Sequence, residues 1–325
     1  MNTSSLRPLD LPSVVEKALA QGAALAVSLS GGKDSHAMLD RLVVEKEIRR
    51  WPGPILAVNA HLGRMDWPET APMCQRLCAQ AGIQRLDVVQ RSRGDLVQAI
   101  GERREKTNGG VFWPSPKSRY CNSDSKRGPI EKVLRQYSLV ISAEGIRAEE
   151  SSARSKRPVC SMRSRITSTA LRGLSIEEAL EARKENQRLA IDWFPLHTHT
   201  VHDVWASMGT SQDELDERRQ QYQAGQTEKA LAGWIGHPAY VYGNERMGCV
   251  FCFMGSQNDM LVGARHNPAL LHLLAEWERE SGYSYQSDRW LKDIEEAQQV
   301  AQSLFERNHD CVPVGVYDCD DVVLE

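Results

Sequence analysis

The stretch SLSGGKDS, residues 28–35, contains the residue types that hold a phosphate group. An apolar run precedes it and apolar residues at helical spacing follow it, which predicts a strand, a turn of small residues and the start of a helix. Two glycines let the backbone approach an anion, the free N–H groups of the first helical turn point toward it, and a lysine adds positive charge. The pattern therefore predicts a phosphate-binding loop, with a plain glycine turn as the alternative. The predicted binding residues are Ser28, Ser30, Gly31, Gly32, Lys33, Asp34 and Ser35.

The loop matches neither of the two commonest glycine-rich motifs. The G-x-x-x-x-G-K-[ST] pattern of ATP and GTP loops and the G-x-G-x-x-G pattern of dinucleotide folds are both absent from it. The sequence SGGKDS, residues 30–35, resembles instead the pyrophosphate loop of the ATP pyrophosphatase superfamily. That resemblance implies cleavage of ATP between its α and β phosphates.

A second group of reactive residues is CVFC, residues 249–252, the one C-x-x-C of the chain. Two intervening residues let both thiolates face one metal from a tight turn. Zinc or an iron–sulfur cluster needs about four ligands, so Cys121 is the predicted third ligand and Cys160 the predicted fourth, beside Cys249 and Cys252. The aromatic and apolar surroundings favour a [4Fe-4S] cluster. A structural zinc site and free thiols remain alternatives, whereas a thioredoxin-like redox pair would require a βαβ context that is not seen here.

The other four cysteines are not predicted to be ligands. Cys74 and Cys78 lie four residues apart in a helical stretch and are expected to face the core. Cys311 and Cys319 have no cysteine partner at ligand spacing. The acidic neighbours of Cys319 disfavour its thiolate, which makes it a poor nucleophile. Eight cysteines without a signal peptide do not indicate a disulfide framework.

Composition restricts the possible partners and location. The 325 residues are 41% hydrophobic, enough for one large core or for one core with a smaller unit. The formal net charge is −3, so a nucleic-acid partner must be met by a local basic patch. The N-terminus lacks an apolar signal core, and no apolar run approaches the ~20 residues that span a membrane. A cytoplasmic protein without membrane contact is expected, and the sequence indicates no oligomeric state.

Alternating strands and helices must position these residues. This alternation favours an α/β fold with a doubly wound parallel sheet covered by helices on both faces. In such a sheet, ligands lie at the carboxyl ends of the strands. Residues 1–200 are predicted to form the ATP-binding domain, and residues 201–325 a mainly helical region that carries the C-x-x-C. The predicted strands cover residues 23–27, 55–60, 85–89, 138–143 and 188–193.

Three connecting stretches add candidate residues. The first follows the second strand, at residues 61–70. The second, residues 109–127, has no periodicity and mixes aromatics, prolines and cations, which predicts a long functional loop. The third, residues 144–165, contains the densest group of cations in the chain. A solvated basic face is the alternative for that group.

Five motifs together resemble the phosphoadenosine phosphosulfate reductase family, over most of residues 25–260. Within the family, the arrangement is more similar to the DndC and SspD type of DNA phosphorothioation proteins than to the assimilatory reductases. The resemblance implies an adenine nucleotide alpha hydrolase-like fold. An acid commonly precedes Leu-Gly in the family, whereas this chain has His61, with Asp66 close enough to compensate. The motifs are SGGKDS, the LGR turn with WPET in residues 62–70, RYCNSDSK (119–126), GIRAEES (145–151) and GCVFC (248–252).

The resemblance also implies a reaction. ATP with Mg²⁺ would transfer AMP to an inert oxygen with release of pyrophosphate, and a sulfur nucleophile from a donor such as a cysteine desulfurase would then replace that oxygen. The predicted catalytic residues are Lys33, Asp34, Ser35 and Arg147. The predicted additional nucleotide-binding residues are Gly63, Arg64 and Lys126.

The favoured acceptor is a DNA backbone phosphate. The basic loops at 117–127 and 147–165 are predicted to hold it, with Trp113 and Tyr120 available for stacking. The alternative is that these cations bind only ATP phosphates.

Two other functions remain open. A sulfonucleotide (PAPS or APS) reductase would use a cysteine in an ECGIH-like tail, but this chain ends DCDDVVLE, residues 318–325. A nucleotide-sensing module that regulates a partner is the second, although the intact Lys33, Asp34 and Ser35 favour turnover.

Overall fold

The computed structural model of the protein describes residues 6–287 and 289–310, with side chains described up to residue 300. A six-stranded sheet in the order β3-β2-β1-β4-β6-β5 forms its centre. The order places β1 between β2 and β4, so the segments that follow these three strands meet at one edge of the sheet. The strands are β1 (Ala24–Ser28), β2 (Ile55–Ala60), β3 (Leu86–Val89), β4 (Leu139–Ala143), β5 (Cys160–Met162) and β6 (Leu189–Trp193).

Five of the strands are parallel, which confirms the predicted α/β fold. In the register of the centre, Val27 lies between Ala57 and Ala143. Strand β5 is the exception, because it pairs antiparallel with β6 and sets Cys160 opposite Trp193. The sequence analysis placed a basic loop here. A strand of three residues is too short for its alternation to be recognised.

Helices cover both faces of the sheet and form the C-terminal part of the described chain. None of the helices described is both long and apolar enough to span a membrane. The helices are α1 (Ser13–Ala20), α2 (Lys33–Arg49), α3 (Thr70–Gln80), α4 (Leu96–Lys106), α5 (Tyr120–Asn122), α6 (Gly128–Leu134), α7 (Ser152–Ser155), α8 (Ile176–Ala182), α9 (Val201–Met208), α10 (Gln212–Gln223), α11 (Thr227–Leu231), α12 (Pro238–Val241), α13 (Gln257–His266), α14 (Pro268–Ser281) and α15 (Leu291–Asp310).

The stretch predicted as one long loop is partly helical. Residues 107–119 are irregular, but Ser123–Arg127 forms a π-helical turn that joins α5 to α6. The prediction for residues 120–127 was therefore wrong. Clustered cations and small polar residues hide the apolar spacing on which helix prediction depends.

The buried apolar side chains form three clusters. The largest joins one face of the sheet to α1, α2, α3 and the helices between residues 201 and 241. A smaller one lies on the other face beneath α6. The third joins α4, α13 and α14 to Phe112 and Trp113. Because α9 to α12 share the sheet's own core, the clusters do not divide at residue 200, and that domain boundary stays a prediction.

Candidate functional site

The phosphate loop, residues 30–35, connects β1 to α2. Ser28 is the last residue of β1, and Gly32 is the N-cap of α2. The Ser35 hydroxyl donates to the Gly32 carbonyl at 2.9 Å and accepts the Ser30 N–H at 3.1 Å. Ser35 therefore fixes the loop across its own turn. The local order of strand, turn and helix is the one predicted.

Both glycines of the loop are required by geometry. Gly31 has a φ of +76°, a conformation that residues with a Cβ rarely adopt. A Cβ at Gly32 would lie 2.7 Å from the Cβ of Met247, which is too close for two carbon atoms. Met247 thus covers the loop, and it stands two residues before Cys249 in the chain.

A carboxylate between two cations lies at the start of α2. Lys33 Nζ is 3.1 Å from Asp34 Oδ2, and Arg147 Nε is 2.5 Å from Asp34 Oδ1. Arg147 also pairs with Glu149. Burial would raise the pKa of Asp34, but the charges of Lys33 and Arg147 lower it overall. Three of the four predicted catalytic residues, Lys33, Asp34 and Arg147, therefore form one charged group, which Ser35 adjoins.

Two aromatic residues from the helical region cover Lys33. The backbone N–H of Lys33 donates to the Tyr240 hydroxyl at 3.1 Å, and Lys33 Nζ lies 5.5 Å from the centroid of the Tyr240 ring and 6.0 Å from that of Trp205. Both residues are buried. The sequence analysis missed them, because nothing local relates residues 205 and 240 to a loop 170 to 210 positions earlier.

His237 is a second residue that the sequence analysis missed. Its ring is fully buried, and its Nδ1 accepts the Ala239 N–H at 3.1 Å. Its Nε2 lies 3.2 Å from the Thr70 hydroxyl. A Cβ at Gly31 would meet the ring at 3.4 Å, so the histidine packs against the phosphate loop. Burial, with a smaller effect of Arg76, lowers the pKa of His237 to about 4, and the ring is neutral near pH 7.

A cavity of about 460 Å³ opens beside this charged group. Lys33 and Arg147 line one side of it, and Trp205 and Tyr240 line another. Further charged side chains border it, namely Glu149, Glu150, Arg219, Glu245 and Arg246. The cavity is wide enough for part of a nucleotide, and its cations suit phosphate groups.

Gly63 and Arg64, predicted to bind nucleotide, do not line this cavity. Arg64 is exposed, and its guanidinium makes two hydrogen bonds to Asp95, at 2.7 and 3.0 Å, which join the loop after β2 to the N-cap of α4. Gly63 has a φ of +65° and lies beneath the same aspartate. Gly63 and Arg64 therefore connect the loop after β2 to the start of α4.

Asp66 lies close to His61, as the sequence analysis expected. His61 Nδ1 is 2.9 Å from Asp66 Oδ2, and the same carboxylate accepts the Leu62 N–H at 2.6 Å. Burial raises the pKa of Asp66, and Leu62, Lys126 and His61 counteract that effect. The carboxylate thus faces Lys126 from the loop after β2.

Three of the four predicted metal ligands come together. Cys121, Cys249 and Cys252, here called the cysteine cluster, act electrostatically on one another and on Lys126. Burial would lower the pKa of Lys126, but the three thiols and Asp66 raise it overall. Lys126, predicted to bind nucleotide, thus has the cysteines as its electrostatic neighbours and does not line the cavity beside Lys33.

Cys160 does not join the cysteine cluster. It lies on edge strand β5, its burial raises the pKa of its thiol, and the charged neighbour that acts on it is Glu177. Among the described residues, no group of three or more His, Cys, Asp or Glu side chains has the geometry of a metal site. Cys74 and Cys78 are buried in the core, as predicted. Cys311 and Cys319 lie outside the described residues.

The cations of residues 147–165 are mostly neutralised within the chain. Arg163 bridges Glu144 and Asp192 at 2.5 Å each, and Arg154 pairs with Glu150. Arg165 lies 3.3 Å from a carboxylate as well. These ion pairs, with the one that Arg147 makes, remove most of the basic surface predicted for this stretch.

The proposed stacking residues are also not available. Trp113 and Tyr120 are 3% and 7% exposed, and the Tyr120 hydroxyl donates to the Phe112 carbonyl at 2.7 Å. The guanidinium of Arg103 lies 4.6 Å from the centre of the Tyr120 ring. Tyr120 therefore offers no free face, although Trp113 forms part of a pocket described below.

Comparisons with known proteins identify the family of the chain. The model of the phosphoadenosine phosphosulfate reductase domain family matches residues 24–252, more than half of the chain. No curated protein matches the sequence. Among solved structures, the U34-tRNA thiolase NcsA from Methanococcus maripaludis with its [4Fe-4S] cluster is similar at 15% identity and a TM-score of 0.40, over 95% of this chain and 81% of that chain. The chain belongs to the phosphoadenosine phosphosulfate reductase domain family.

Proposed function

We propose that this member of the phosphoadenosine phosphosulfate reductase domain family is an ATP pyrophosphatase that adenylylates an acceptor oxygen, which a sulfur nucleophile then replaces. The observation that carries the proposal is the joint position of two sites. Lys33 and Arg147 face one cavity at the start of α2. The segment that covers the loop through Met247 continues within two residues into the cysteine cluster.

The first step is nucleotidyl transfer. The acceptor oxygen attacks the α-phosphorus of ATP, the bond between that phosphorus and the bridging oxygen breaks, and pyrophosphate leaves with the electron pair. Lys33, Arg147 and the N-terminus of α2 stabilise the charge that develops on the leaving group. Both oxygens of Asp34 are occupied by cations, so Asp34 orients Lys33 and Arg147 and is not a base.

A Mg²⁺ ion bound with ATP would shield the phosphate charge. Asp34 is the one carboxylate of the phosphate loop, and it is already bound by Lys33 and Arg147. The chain therefore offers this ion few ligands at the loop, and ATP phosphates with water would supply most of its coordination, as Mg²⁺ commonly accepts.

The cysteine cluster fits an anionic metal group through its charge. Three thiols and a carboxylate act electrostatically on the ammonium of Lys126, so thiolates bound to a metal would compensate its charge. Cys121, Cys249 and Cys252 would hold a [4Fe-4S] cluster or, as the alternative, zinc. Such a group would supply one coordination position that the chain does not fill, available to a sulfur ligand. Cys160 plays no part in this site.

The second step replaces the activated oxygen. HS⁻, released by a thiol reductant from the persulfide of a donor such as a cysteine desulfurase, attacks the adenylylated centre. The bond to the AMP oxygen breaks, AMP leaves, and the sulfur's proton passes to solvent. We propose a DNA backbone phosphate as the acceptor. Support comes from Lys117 and Arg119, which are exposed and form no ion pair among the described residues.

Pyrophosphate release tests the proposal. The protein is purified without oxygen, and pyrophosphate formed from ATP is measured with and without DNA. Lys33→Ala is expected to reduce the rate at least about 100-fold, the effect of removing a charge-stabilising group. Lys46→Ala is the matched control, because that lysine lies in the last turn of the same helix and caps the Trp51 carbonyl. Reduction of a sulfonucleotide without pyrophosphate would favour a reductase, and ATP binding without turnover a sensing module.

A further inference from the structure

A pocket of about 470 Å³ lies beside the cysteine cluster and shares no lining residue with the cavity at Lys33. We call it the aromatic pocket. Val111 and residues 113–116 form one wall, and residues 253–255, which directly follow Cys252, form another. The chain between α14 and α15 closes it with Tyr283, Tyr285 and Gln286.

Exposed apolar side chains converge on this pocket. Nine large hydrophobic side chains are exposed in the part of the chain whose side chains are described, and three of them line the aromatic pocket. They are Val111, Met254 and Tyr283, at 59%, 46% and 38% exposed. Single exposed hydrophobic residues are common, whereas a group of them around a concave site indicates a ligand.

The aromatic rings beneath these residues are held rigidly. Trp113 and Tyr285 meet edge to face with their centroids 5.0 Å apart. Trp113 Nε1 donates to the Tyr283 carbonyl at 2.8 Å, and the Tyr285 hydroxyl donates to the Phe251 carbonyl at 2.5 Å. Both rings are only 3% exposed, so they support the pocket wall, and the exposed ring of Tyr283 is the aromatic surface on which a ligand can stack.

One polar atom in the pocket wall has no partner. The Gln286 amide nitrogen donates to the carbonyls of Phe253 and Gly255, at 3.0 Å each, and lies 3.5 Å from that of Cys252. These acceptors fix the orientation of the amide. Its oxygen is buried and accepts no hydrogen bond from any described residue. A buried acceptor without a donor is costly, so this oxygen indicates a ligand with an N–H or O–H group.

Cations adjoin the same opening. Arg119 Nη2 lies 3.1 Å from the sulfur of Met254, and Lys117 follows Pro116, which lines the pocket. As described above, neither cation forms an ion pair among the described residues, unlike the cations of residues 147–165. A ligand of the aromatic pocket can therefore carry phosphate groups at the rim.

We infer that the aromatic pocket binds an unpaired nucleobase of the acceptor nucleic acid. The base stacks on the exposed ring of Tyr283, an N–H of its pairing edge donates to the Gln286 oxygen, and the adjoining phosphates meet Lys117 and Arg119. Every natural base has at least one N–H on its pairing edge, so this contact separates unpaired from paired bases. That this nucleic acid is the acceptor of the reaction rests on the proposed function. Binding of its base in the aromatic pocket would hold the acceptor beside the cysteine cluster.

Binding of short oligonucleotides to the full chain without ATP tests the inference. Fluorescence anisotropy is measured with labelled 12-nucleotide single strands of DNA and RNA, with a duplex, and with a strand of abasic sugars. Single strands with bases are expected to bind at least about tenfold tighter than the abasic strand, in keeping with the strength of base stacking. The single strand that binds more tightly, DNA or RNA, identifies the nucleic acid that supplies the base. Equal affinity for the abasic strand, or tighter binding of the duplex, would overturn the inference.

Two sets of variants locate the binding. Tyr283→Ala is expected to weaken single-strand binding about tenfold, and Leu174→Ala, at a position of equal exposure outside the pocket, is expected to leave it unchanged. Lys117→Ala and Arg119→Ala should each reduce the slope of the logarithm of the binding constant against the logarithm of the salt concentration by about 0.7. Equal effects of Tyr283→Ala and Leu174→Ala would contradict the inference. Pyrophosphate release by the same samples is a separate readout, so base binding without pyrophosphate would refute the proposed function and leave the pocket standing.

Discussion

The phosphate loop and the cysteine cluster are joined by one short segment, residues 247–252, yet their polar groups are satisfied in different ways. At the phosphate loop, the Lys33 and Arg147 charges meet Asp34, and the Lys33 N–H meets the Tyr240 hydroxyl. At the cysteine cluster, an ammonium stands among thiols that are neutral until a base or a metal removes their protons.

This difference indicates how each site responds to its ligand. The phosphate loop is complete without ATP, so phosphate groups must compete with partners that the chain already supplies. The cysteine cluster gains a full set of charges only when its thiols become thiolates, so its stability should depend on a bound metal. The predictions that follow test this contrast from the largest expected effect to the smallest.

Removal of one cluster cysteine should abolish metal binding. Cys249→Ser takes away a thiolate from the site around Lys126, and a set of two thiolates is too small for a cluster or a zinc site. Iron and zinc are measured on anaerobically purified protein. We expect the wild type to hold about one metal site per chain and Cys249→Ser to hold almost no metal.

Cys160→Ser is the control for that experiment. Cys160 is half-buried like Cys249, but it lies on β5 beside Glu177. The Cys160 variant should keep its metal. Equal loss in both variants would mean that Cys160 is a ligand after all, and metal retained in the Cys249 variant would exclude the cysteine cluster as the site.

The phosphate loop should respond most strongly to loss of its carboxylate. Asp34→Asn leaves Lys33 without its counter-charge and Arg147 with Glu149 alone, and we expect a loss of about 3 kcal/mol in the free energy of unfolding without nucleotide. Phosphates can replace the missing charge, so ATP should raise the melting temperature of this variant more than that of the wild type. Asp40→Asn, on the same helix and with one histidine partner, is the control. If ATP raises the melting temperatures of Asp34→Asn and the wild type equally, the proposed difference between the two sites is wrong.

The same contrast explains which features could be predicted from the sequence. The phosphate loop is local: its residues are adjacent, and the apolar spacing on both sides shows the strand and the helix. The C-x-x-C is local too. Cys121 was predicted to join that pair because it lies in a stretch rich in aromatic and basic residues, and the structure gives it an electrostatic interaction with Cys252. That stretch also lacked the periodicity of a structural element.

The errors came from contacts between distant segments. Cys160 was predicted as the fourth ligand, but the unpredicted strand β5 fixes it opposite Trp193. Lys126 was predicted to bind nucleotide as a cation of the RYCNSDSK motif, whereas the groups that act on it electrostatically are three cysteines and Asp66. Tyr240, His237 and Gln286 carry no motif. Their roles depend on helices that pack across the sheet, which no local pattern encodes.

His237 should make stability depend on pH. Its pKa is about 4 in the folded protein, against about 6.5 for an ordinary histidine, so the unfolded chain binds more protons between these values. The contribution of the neutral His237 ring to the free energy of unfolding is fully present above pH 6.5 and decreases as the pH falls toward 4. Between pH 7.5 and pH 5 the expected loss is about 2 kcal/mol.

Urea unfolding at the two pH values measures this loss. His237→Asn is the informative variant, because an asparagine oxygen can accept the Ala239 N–H in place of Nδ1 but does not titrate. The variant should lose about 2 kcal/mol less than the wild type between pH 7.5 and pH 5. The same pH dependence in both proteins would show that protonation of the His237 ring does not destabilise the folded protein.

The smallest expected effect concerns the Tyr240 hydroxyl, and it tests the competition at the phosphate loop directly. Tyr240→Phe frees the Lys33 N–H for a phosphate oxygen and keeps the aromatic ring near Lys33 Nζ. Since a hydrogen bond contributes about 1 kcal/mol net, the Kd for ATP should fall about fivefold. Tyr242→Phe, which removes a hydroxyl bound to Glu69, should leave the Kd unchanged. If Tyr240→Phe instead weakens ATP binding, the hydroxyl is itself a ligand of the nucleotide, and the loop is not complete without ATP.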